Sequence, residues 1–147
     1  MAWVLFDKFM EKQHDGNAIN LDIGGDTLKC MLITDVRAPV QATDEAMTDI
    51  DDNEVSGSNY TPGGATLANQ VISLVAGTLK FDVDDITWLQ HVTGFTNARY
   101  AVKYKSTGTP ANDIPICYAD LGGNKGNVSG DLALEMAAAG VFTQTNS

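Results

Sequence analysis

The sequence is poor in positive charge. It contains nine Lys and Arg residues against 19 Asp and Glu residues, which gives a formal net charge of −10. A general nucleic-acid binder needs a clustered excess of basic side chains to contact phosphates, so this balance argues against that class. It suits a protein in solution, or one that docks onto a partner through a local basic patch.

Cysteine is scarce as well. Cys30 and Cys117 are far apart, and each lies within an apolar segment rather than in a metal-ligand spacing. The pattern predicts buried free thiols. A disulfide between them would require neighbouring strands, which the sequence leaves open. Neither a disulfide nor a metal is needed for folding, because a chain of 147 residues buries about two thirds of its unfolded surface.

Histidine is nearly absent, and this limits the catalytic options. His14 and His91 are the two histidines, and neither lies beside a Ser or Cys with a plausible third partner. A catalytic triad or a histidine metal site is therefore not expected. Carboxylates are plentiful, but no pair of them can be singled out for glycosidic chemistry. The sequence predicts a protein that is not an enzyme, with no catalytic residues and no cofactor.

Two ligand-binding motifs are incomplete. Asp49, Asp51 and Asn53 match the first ligand positions of an EF-hand loop, but Glu54 stands where its glycine should be and Tyr60 at its twelfth position. A solvated acidic loop over residues 44–54 is the favoured interpretation, with an irregular cation site as the alternative. The segment 122–126 resembles a phosphate loop without the Gly-Lys-Ser/Thr ending, and we interpret it as a hairpin loop.

Long apolar runs are missing. The apolar start of the chain ends at Asp7 and is preceded by no basic region, so we expect neither a signal peptide nor a membrane span. The sequence accordingly predicts a protein made and kept in a cytoplasm, whatever it joins afterwards.

The clearest pattern that is present is the alternation in residues 98–105. Tyr100, Val102 and Tyr104 fall on one face of the predicted strand. Arg99, Lys103 and Lys105 fall on the other face and form what we call the basic ridge. The ridge is the first candidate contact surface in this acidic chain. The alternative is that it is simply the solvated face of a two-layer sheet.

Further elements follow from periodicity and turn residues. We expect an amphipathic helix over residues 3–13 and a short helix capped by Thr43 from Asp44 onwards. Apolar alternation predicts strands at 27–34, 65–75, 78–83, 86–89, 114–120, 132–136 and 140–143. The strands at 65–75 and 78–83 should form a hairpin through Ala76-Gly77. Pro115 favours an edge position or the first residues of its strand.

Seven or eight strands separated by Gly, Pro, Asn and Asp turns predict a mainly β protein. The expected fold is an antiparallel β-sandwich, similar to a jelly roll, with one or two short helices near the N-terminus. We divide the chain into an N-terminal helix or arm at 1–25 and a single β-sandwich domain at 26–147.

Aromatic side chains raise the possibility of a carbohydrate platform. Alternation places most of them on inward faces, so we expect core packing for the majority. Tyr60, which lies in a loop, is the one aromatic that the sequence predicts to be exposed.

Four blocks of the sequence resemble a family of small virion proteins from tailed double-stranded-DNA bacteriophages, and the resemblance covers about residues 26–143. The blocks are Asn53–Gly64, Lys80–Trp88, Ala98–Lys105 and Tyr118–Gly122. The resemblance brings no catalytic residues with it.

The resemblance implies a non-enzymatic structural protein, and we expect a capsid decoration (cement) protein. Such a protein would be a compact β-domain, commonly trimeric, that binds across major capsid protein subunits on the outer surface of the head. Assembly would take place in the host cytoplasm, with no direct contact to nucleic acid or membrane. The expected contact residues are Trp3, Phe6 and Phe9 of the N-terminal helix and Arg99, Lys103 and Lys105 of the basic ridge. The alternatives are a neck, tail or fibre-base protein and a sugar-binding attachment module.

Overall fold

The computed structural model describes residues 1–16 and 19–145, which form ten strands, one α-helix and two single 3₁₀ turns. The strands are β1 (Val4–Leu5), β2 (Leu28–Ile33), β3 (Ala65–Thr66), β4 (Val71–Val75), β5 (Thr78–Asp82), β6 (Ile86–Trp88), β7 (Ala98–Lys105), β8 (Ile114–Lys125), β9 (Leu132–Leu134) and β10 (Phe142–Thr145). Helix α1 is Asp7–Lys12, and the 3₁₀ turns are Met47–Asp49 and Asp51–Asn53. No helix in these residues is both long and apolar enough to cross a membrane.

The strands form three antiparallel sheets. The main sheet has the order β1-β8-β7-β2-β3, the second sheet β10-β5-β4, and a two-stranded sheet pairs β6 with β9. The predicted fold class is therefore confirmed: the protein is mainly β, sandwich-like and antiparallel, with a short helix near the N-terminus.

The strongest local patterns are confirmed in detail. The strand predicted at 98–105 is β7, and it lies at the centre of the main sheet between β8 and β2. Strand β2 is buried on both faces, as its apolar run indicates. Ala76 and Gly77 join β4 to β5 in a two-residue turn, and both have positive φ angles (49° and 78°), as a type I′ turn requires.

The N-terminal segment departs from the predicted helix over 3–13. Val4 and Leu5 are extended and pair with Tyr118 and Cys117 of β8, so the helix begins at Asp7. A helix of two or three turns is marginal by itself, and pairing with the edge of the main sheet is the more favourable arrangement for its first residues.

The helix predicted from Asp44 is also wrong. Asp44 is buried, and its carboxylate accepts hydrogen bonds from Arg37 and from the backbone N–H of Val40. The chain then forms two 3₁₀ turns instead of an α-helix. The acidic segment 44–54 is thus not uniformly solvated, because Asp44 is drawn inward by its ion pair with Arg37.

The long strand predicted over 65–75 is divided into β3 and β4. Asn69, at φ 51°, turns the chain between them, and the two strands join different sheets. The expected hairpin loop at 122–126 is wrong too, since these residues lie largely within β8. The register between β7 and β8 jumps from Tyr100↔Asp120 to Ala98↔Lys125, so the glycine-rich residues form a bulge. Pro115 is the second residue of β8, among the first residues of its strand as predicted.

The core fills the space between the main sheet and the second sheet. Phe9 of α1 contacts Phe142 of β10 with ring centroids 6.3 Å apart, and Phe142 contacts Phe81 of β5 at 5.3 Å. Helix α1 thus belongs to the same hydrophobic core as the strands. Trp88 is buried, in line with the core packing expected for most of the aromatic residues.

Candidate functional site

The aromatic residues predicted to meet a partner lie inside the subunit. Phe6 and Phe9 are fully buried, and Trp3 is half-buried against the core. The apolar face of the N-terminal segment is therefore occupied by the protein's own interior, because α1 and β1 pack on the main sheet. Of these three side chains, Trp3 alone is partly accessible to solvent.

The basic ridge is not an exposed positive surface. Lys103 is 0% exposed. Arg99 makes a bidentate ion pair with Asp120, both distances being 2.8 Å, and Lys105 lies 3.2 Å from Asp26. The prediction of a ridge facing water is thus wrong for Lys103, and acidic side chains offset the charge of the other two. Alternation placed these residues on one face correctly, but that face is covered around Lys103.

Lys103 occupies an unusual environment. Its neighbours in register are Cys30 on β2 and Cys117 on β8. Its Nζ lies 3.0 Å from the centre of the Trp3 ring and 3.6 Å from Met136 Sδ. Burial lowers the pKa of Lys103, and no carboxylate among the described residues forms an ion pair with it. An enclosed amine of this kind contributes to packing but presents no charge to a partner.

The two cysteines are buried and free, as predicted. Strand β7 lies between them, so their Cα atoms are two strand spacings apart, roughly 9.5 Å. A disulfide needs its Cα atoms within about 7 Å. Burial also raises the pKa of Cys117, to about 12. These thiols are therefore suited to packing rather than to redox chemistry.

Tyr60, predicted to be exposed, is buried at 8% exposure. Its hydroxyl donates to Glu54 Oε1 at 2.7 Å and accepts from the backbone N–H of Leu32 at 3.0 Å. Its ring stacks near Trp88, with the centroids 6.3 Å apart. Burial raises the pKa of this phenol above its usual value. The hypothesis of a carbohydrate platform relied on an exposed Tyr60, and the burial of Tyr60 removes that support.

Carboxylates converge beside the 3₁₀ turns in a cleft of about 190 Å³. Asp51, Glu54 and Asp113 line it together with Lys29 and Tyr104. Burial raises the pKa of both Asp51 and Glu54. Within residues 1–16 and 19–145, however, no group of three or more His, Cys, Asp or Glu side chains is placed to hold a metal ion.

Several large apolar side chains are exposed, among them Ile23 and Val36, and two segments that the sequence analysis did not single out each expose two of them strongly. Leu89 and Val92 are 62% and 76% exposed in the segment 89–94, which we call the docking loop. Leu74 and Val75 are 70% and 72% exposed at the end of the β4–β5 hairpin. In the sequence, Leu89 is the last residue of the short strand predicted at 86–89, and Val92 follows it in a loop that ends at Gly94.

Asn127 holds the docking loop in place. This side chain is fully buried; its Oδ1 accepts from the Phe95 N–H at 2.9 Å, and its Nδ2 donates to the carbonyls of Leu89 and Ser58. Its backbone carbonyl accepts from the His91 N–H at 2.9 Å. One residue therefore satisfies backbone groups on both sides of the loop.

A second set of bonds ties the docking loop to residues 57–59. Ser58 Oγ lies 2.8 Å from Thr93 Oγ1, and Asn59 Nδ2 donates to the carbonyl of Leu89 at 3.2 Å. A Cβ on Gly94 would lie 1.9 Å from Asn127 Oδ1, so only glycine fits there. The docking loop is thus held by hydrogen bonds from two other segments of the chain, while its apolar side chains Leu89 and Val92 remain exposed.

Comparison with known proteins produced no match: no family model, no curated protein and no solved structure is significantly similar to the chain.

Proposed function

We propose that the protein is a non-enzymatic virion structural protein of a tailed bacteriophage, and that it acts as a capsid decoration protein. In this role it binds across major capsid protein subunits on the outer surface of the head and stabilises the shell. The proposal is supported by the resemblance of four sequence blocks to phage virion proteins and by the character of the docking loop.

The docking loop is the observation that carries the proposal. It exposes Leu89 and Val92 while Asn127 and Asn59 both donate to the backbone carbonyl of Leu89. Exposed apolar side chains on a prearranged backbone suit an interface, because little conformational entropy is lost on binding.

Two of the four blocks that resemble phage virion proteins adjoin or support the docking loop. Block 80–88 ends where the docking loop begins, and block 53–64 contains Ser58 and Asn59, which support the loop. Binding of such a surface to the assembled lattice alone stabilises the lattice by mass action. Many copies on one shell therefore need modest affinity each.

The test uses virus particles stripped of this protein. Adding the purified protein back should restore binding and raise the temperature at which the particles release DNA. The double variant Leu89→Ser/Val92→Ser should bind at least about tenfold more weakly, since two exposed apolar side chains are lost from the interface.

Val36→Ser serves as the matched control, because Val36 is equally exposed on a different loop. It should bind as the unaltered protein does. Failure of the unaltered protein to bind or protect particles contradicts the proposal, and so does equal binding by the double variant.

The same surface could serve in a neck, tail or fibre base, and copy number separates these positions. A decoration protein is present in many copies per head, whereas a neck or tail component is present in few. Quantitative mass spectrometry of purified particles measures this number directly. A low copy number would contradict the decoration role and would favour a structural position in the neck, tail or fibre base.

A further inference from the structure

Strand β4 forms an open edge of the second sheet. It pairs with β5, and no other strand of the described residues lies on its far side. In a hairpin closed by a two-residue turn, alternate residues direct their backbone groups toward the partner strand. Val75 and Thr78 are the pair next to the turn. The backbone N–H and C=O groups of Val71, Ser73 and Val75 therefore point toward β5.

Ile72 and Leu74 therefore direct their backbone groups outward. The N–H of Ile72 is covered by Asp22 Oδ1 at a long distance of 3.4 Å. No hydrogen bond within residues 1–16 and 19–145 involves the outward N–H or C=O of Leu74. An edge that is guarded at one residue and open at the next can accept a new strand there.

Apart from Asp22 beside Ile72, the side chains around this opening are uncharged, and most of those on β4 are apolar. Leu74 and Val75 are the most exposed, and Val71 is 44% exposed. No charged residue occurs from Val71 to Leu79. In a molecule of net charge −10, such a segment is where another copy can approach with least repulsion.

We propose that β4 pairs antiparallel with β4 of a second copy, about a two-fold axis at Leu74. In this pairing Leu74 N–H donates to the Leu74 carbonyl of the other copy, and the reverse bond forms by symmetry. The two three-stranded sheets then become one continuous sheet across both copies. The bonds used are those that each subunit leaves unmade.

The open backbone groups at Leu74 favour a second copy over other occupants. Leu74 directs both an N–H and a C=O outward, and the same two groups of Leu74 in another copy match them about a two-fold axis. The segment 71–79 carries no charged side chain that would repel a copy or bind a charged partner. A two-fold pairing closes with two copies, so the homotrimer implied by the family resemblance would need a different surface. The inference concerns the purified protein and stands independently of the virion role.

The experiment measures mass by sedimentation equilibrium up to about 0.5 mM protein, a concentration that detects weak dimers. The unaltered protein should show a concentration-dependent dimer. Leu74→Asp should weaken dimerisation by at least about tenfold, because two carboxylates would meet at the axis. Val36→Asp, the matched control on another exposed loop, should dimerise normally.

Hydrogen exchange in the unaltered protein keeps the inference testable if Leu74→Asp misfolds. The Leu74 amide should exchange more slowly as protein concentration rises, while the guarded Ile72 amide changes less. A monomer at every concentration overturns the inference. It is equally overturned by a dimer or trimer in which Leu74 exchange does not respond to concentration, or by normal dimerisation of a folded Leu74→Asp variant.

Discussion

Lys103 carries a basic group into a place where water cannot solvate it. Burial of an unpaired charge is costly, and no carboxylate of the described residues lies within ion-pair distance to offset that cost. The Trp3 ring, 3.0 Å from Nζ, recovers part of it through a cation–π interaction. This residue is therefore a site where substitution should stabilise the subunit.

We expect Lys103→Met to increase the free energy of unfolding at pH 7 by about 1–4 kcal/mol, because an apolar chain of similar length replaces a buried amine. The folded-state pKa of Lys103 is lowered from 10.5, so the unfolded state binds more protons between that lowered value and 10.5. The free energy of unfolding of the unaltered protein therefore rises as pH increases from the lowered pKa toward 10.5. The difference in unfolding free energy between Lys103→Met and the unaltered protein should become smaller over the same pH range. Urea unfolding at several pH values measures both effects.

Lys105→Met is the control for that experiment. Lys105 is paired with Asp26 near the surface, so its replacement should lower stability slightly or leave it unchanged. If Lys103→Met lowers stability while Lys105→Met does not, the view of Lys103 as a destabilising buried amine is wrong.

Asn127 has the opposite role, because every polar group of its side chain is used. Asn127→Ala removes three side-chain hydrogen bonds and takes their side-chain partner from the Phe95 N–H and the Ser58 carbonyl, while the Leu89 carbonyl keeps its bond from Asn59. We expect a loss of at least about 3 kcal/mol in unfolding free energy. Asn124→Ala, at an exposed residue with one bond to Asp35, should change stability by less than about 0.5 kcal/mol. Similar losses from both variants in thermal or chemical unfolding would argue against this account of Asn127.

At the scale of elements, strand order decides what the cysteines can do. Strand β7 separates Cys30 from Cys117, and the sequence could not reveal that order. Neighbouring strands would have allowed a disulfide; an intervening strand prevents one without unfolding.

We therefore expect both thiols to stay free under oxidising conditions. After incubation of the folded protein with a mild oxidant and then denaturation, thiol titration should give two thiols per chain. In the folded protein both should react slowly, because burial raises their pKa values and blocks reagents. Recovery of fewer than two thiols from folded monomer would contradict the strand order.

Elements also differ in how far local pattern determines them. β2, β7 and the β4–β5 hairpin were predictable because alternation and turn residues are properties of neighbouring residues. The N-terminal segment and residues 44–53 were not, because pairing of Val4 and Leu5 with β8 and the Arg37–Asp44 ion pair join distant parts of the chain. The docking loop was missed for the same reason: its support comes from Asn127, more than 30 residues away.

At the scale of the whole molecule, the net charge of −10 opposes contact between copies. The repulsion acts over distance and is screened by salt, with a Debye length of about 8 Å at 0.15 M. Strand β4 carries no charged side chain, and the carboxylate beside it, Asp22 at Ile72, has the same sign in both copies, so salt screens repulsion there and has no ion pair to weaken.

Self-association should therefore strengthen as salt rises from about 0.02 to 0.5 M, by at least severalfold in the dimer dissociation constant. Sedimentation equilibrium across a sodium chloride series measures the change. Association that weakens with salt would point to an interface held by ion pairs and away from β4.

Sequence by itself determined the fold class, the central strands and which residues of a strand share a face, since the period of two along a strand is a local property. Tertiary structure decided what covers each face. Trp3 and Met136 close over Lys103, and Trp88 and Phe95 close over Tyr60, so residues that alternation or loop position would leave in water lie in the interior. The physical reason is that alternation specifies which side chains share a face, whereas burial depends on which distant segment packs against it.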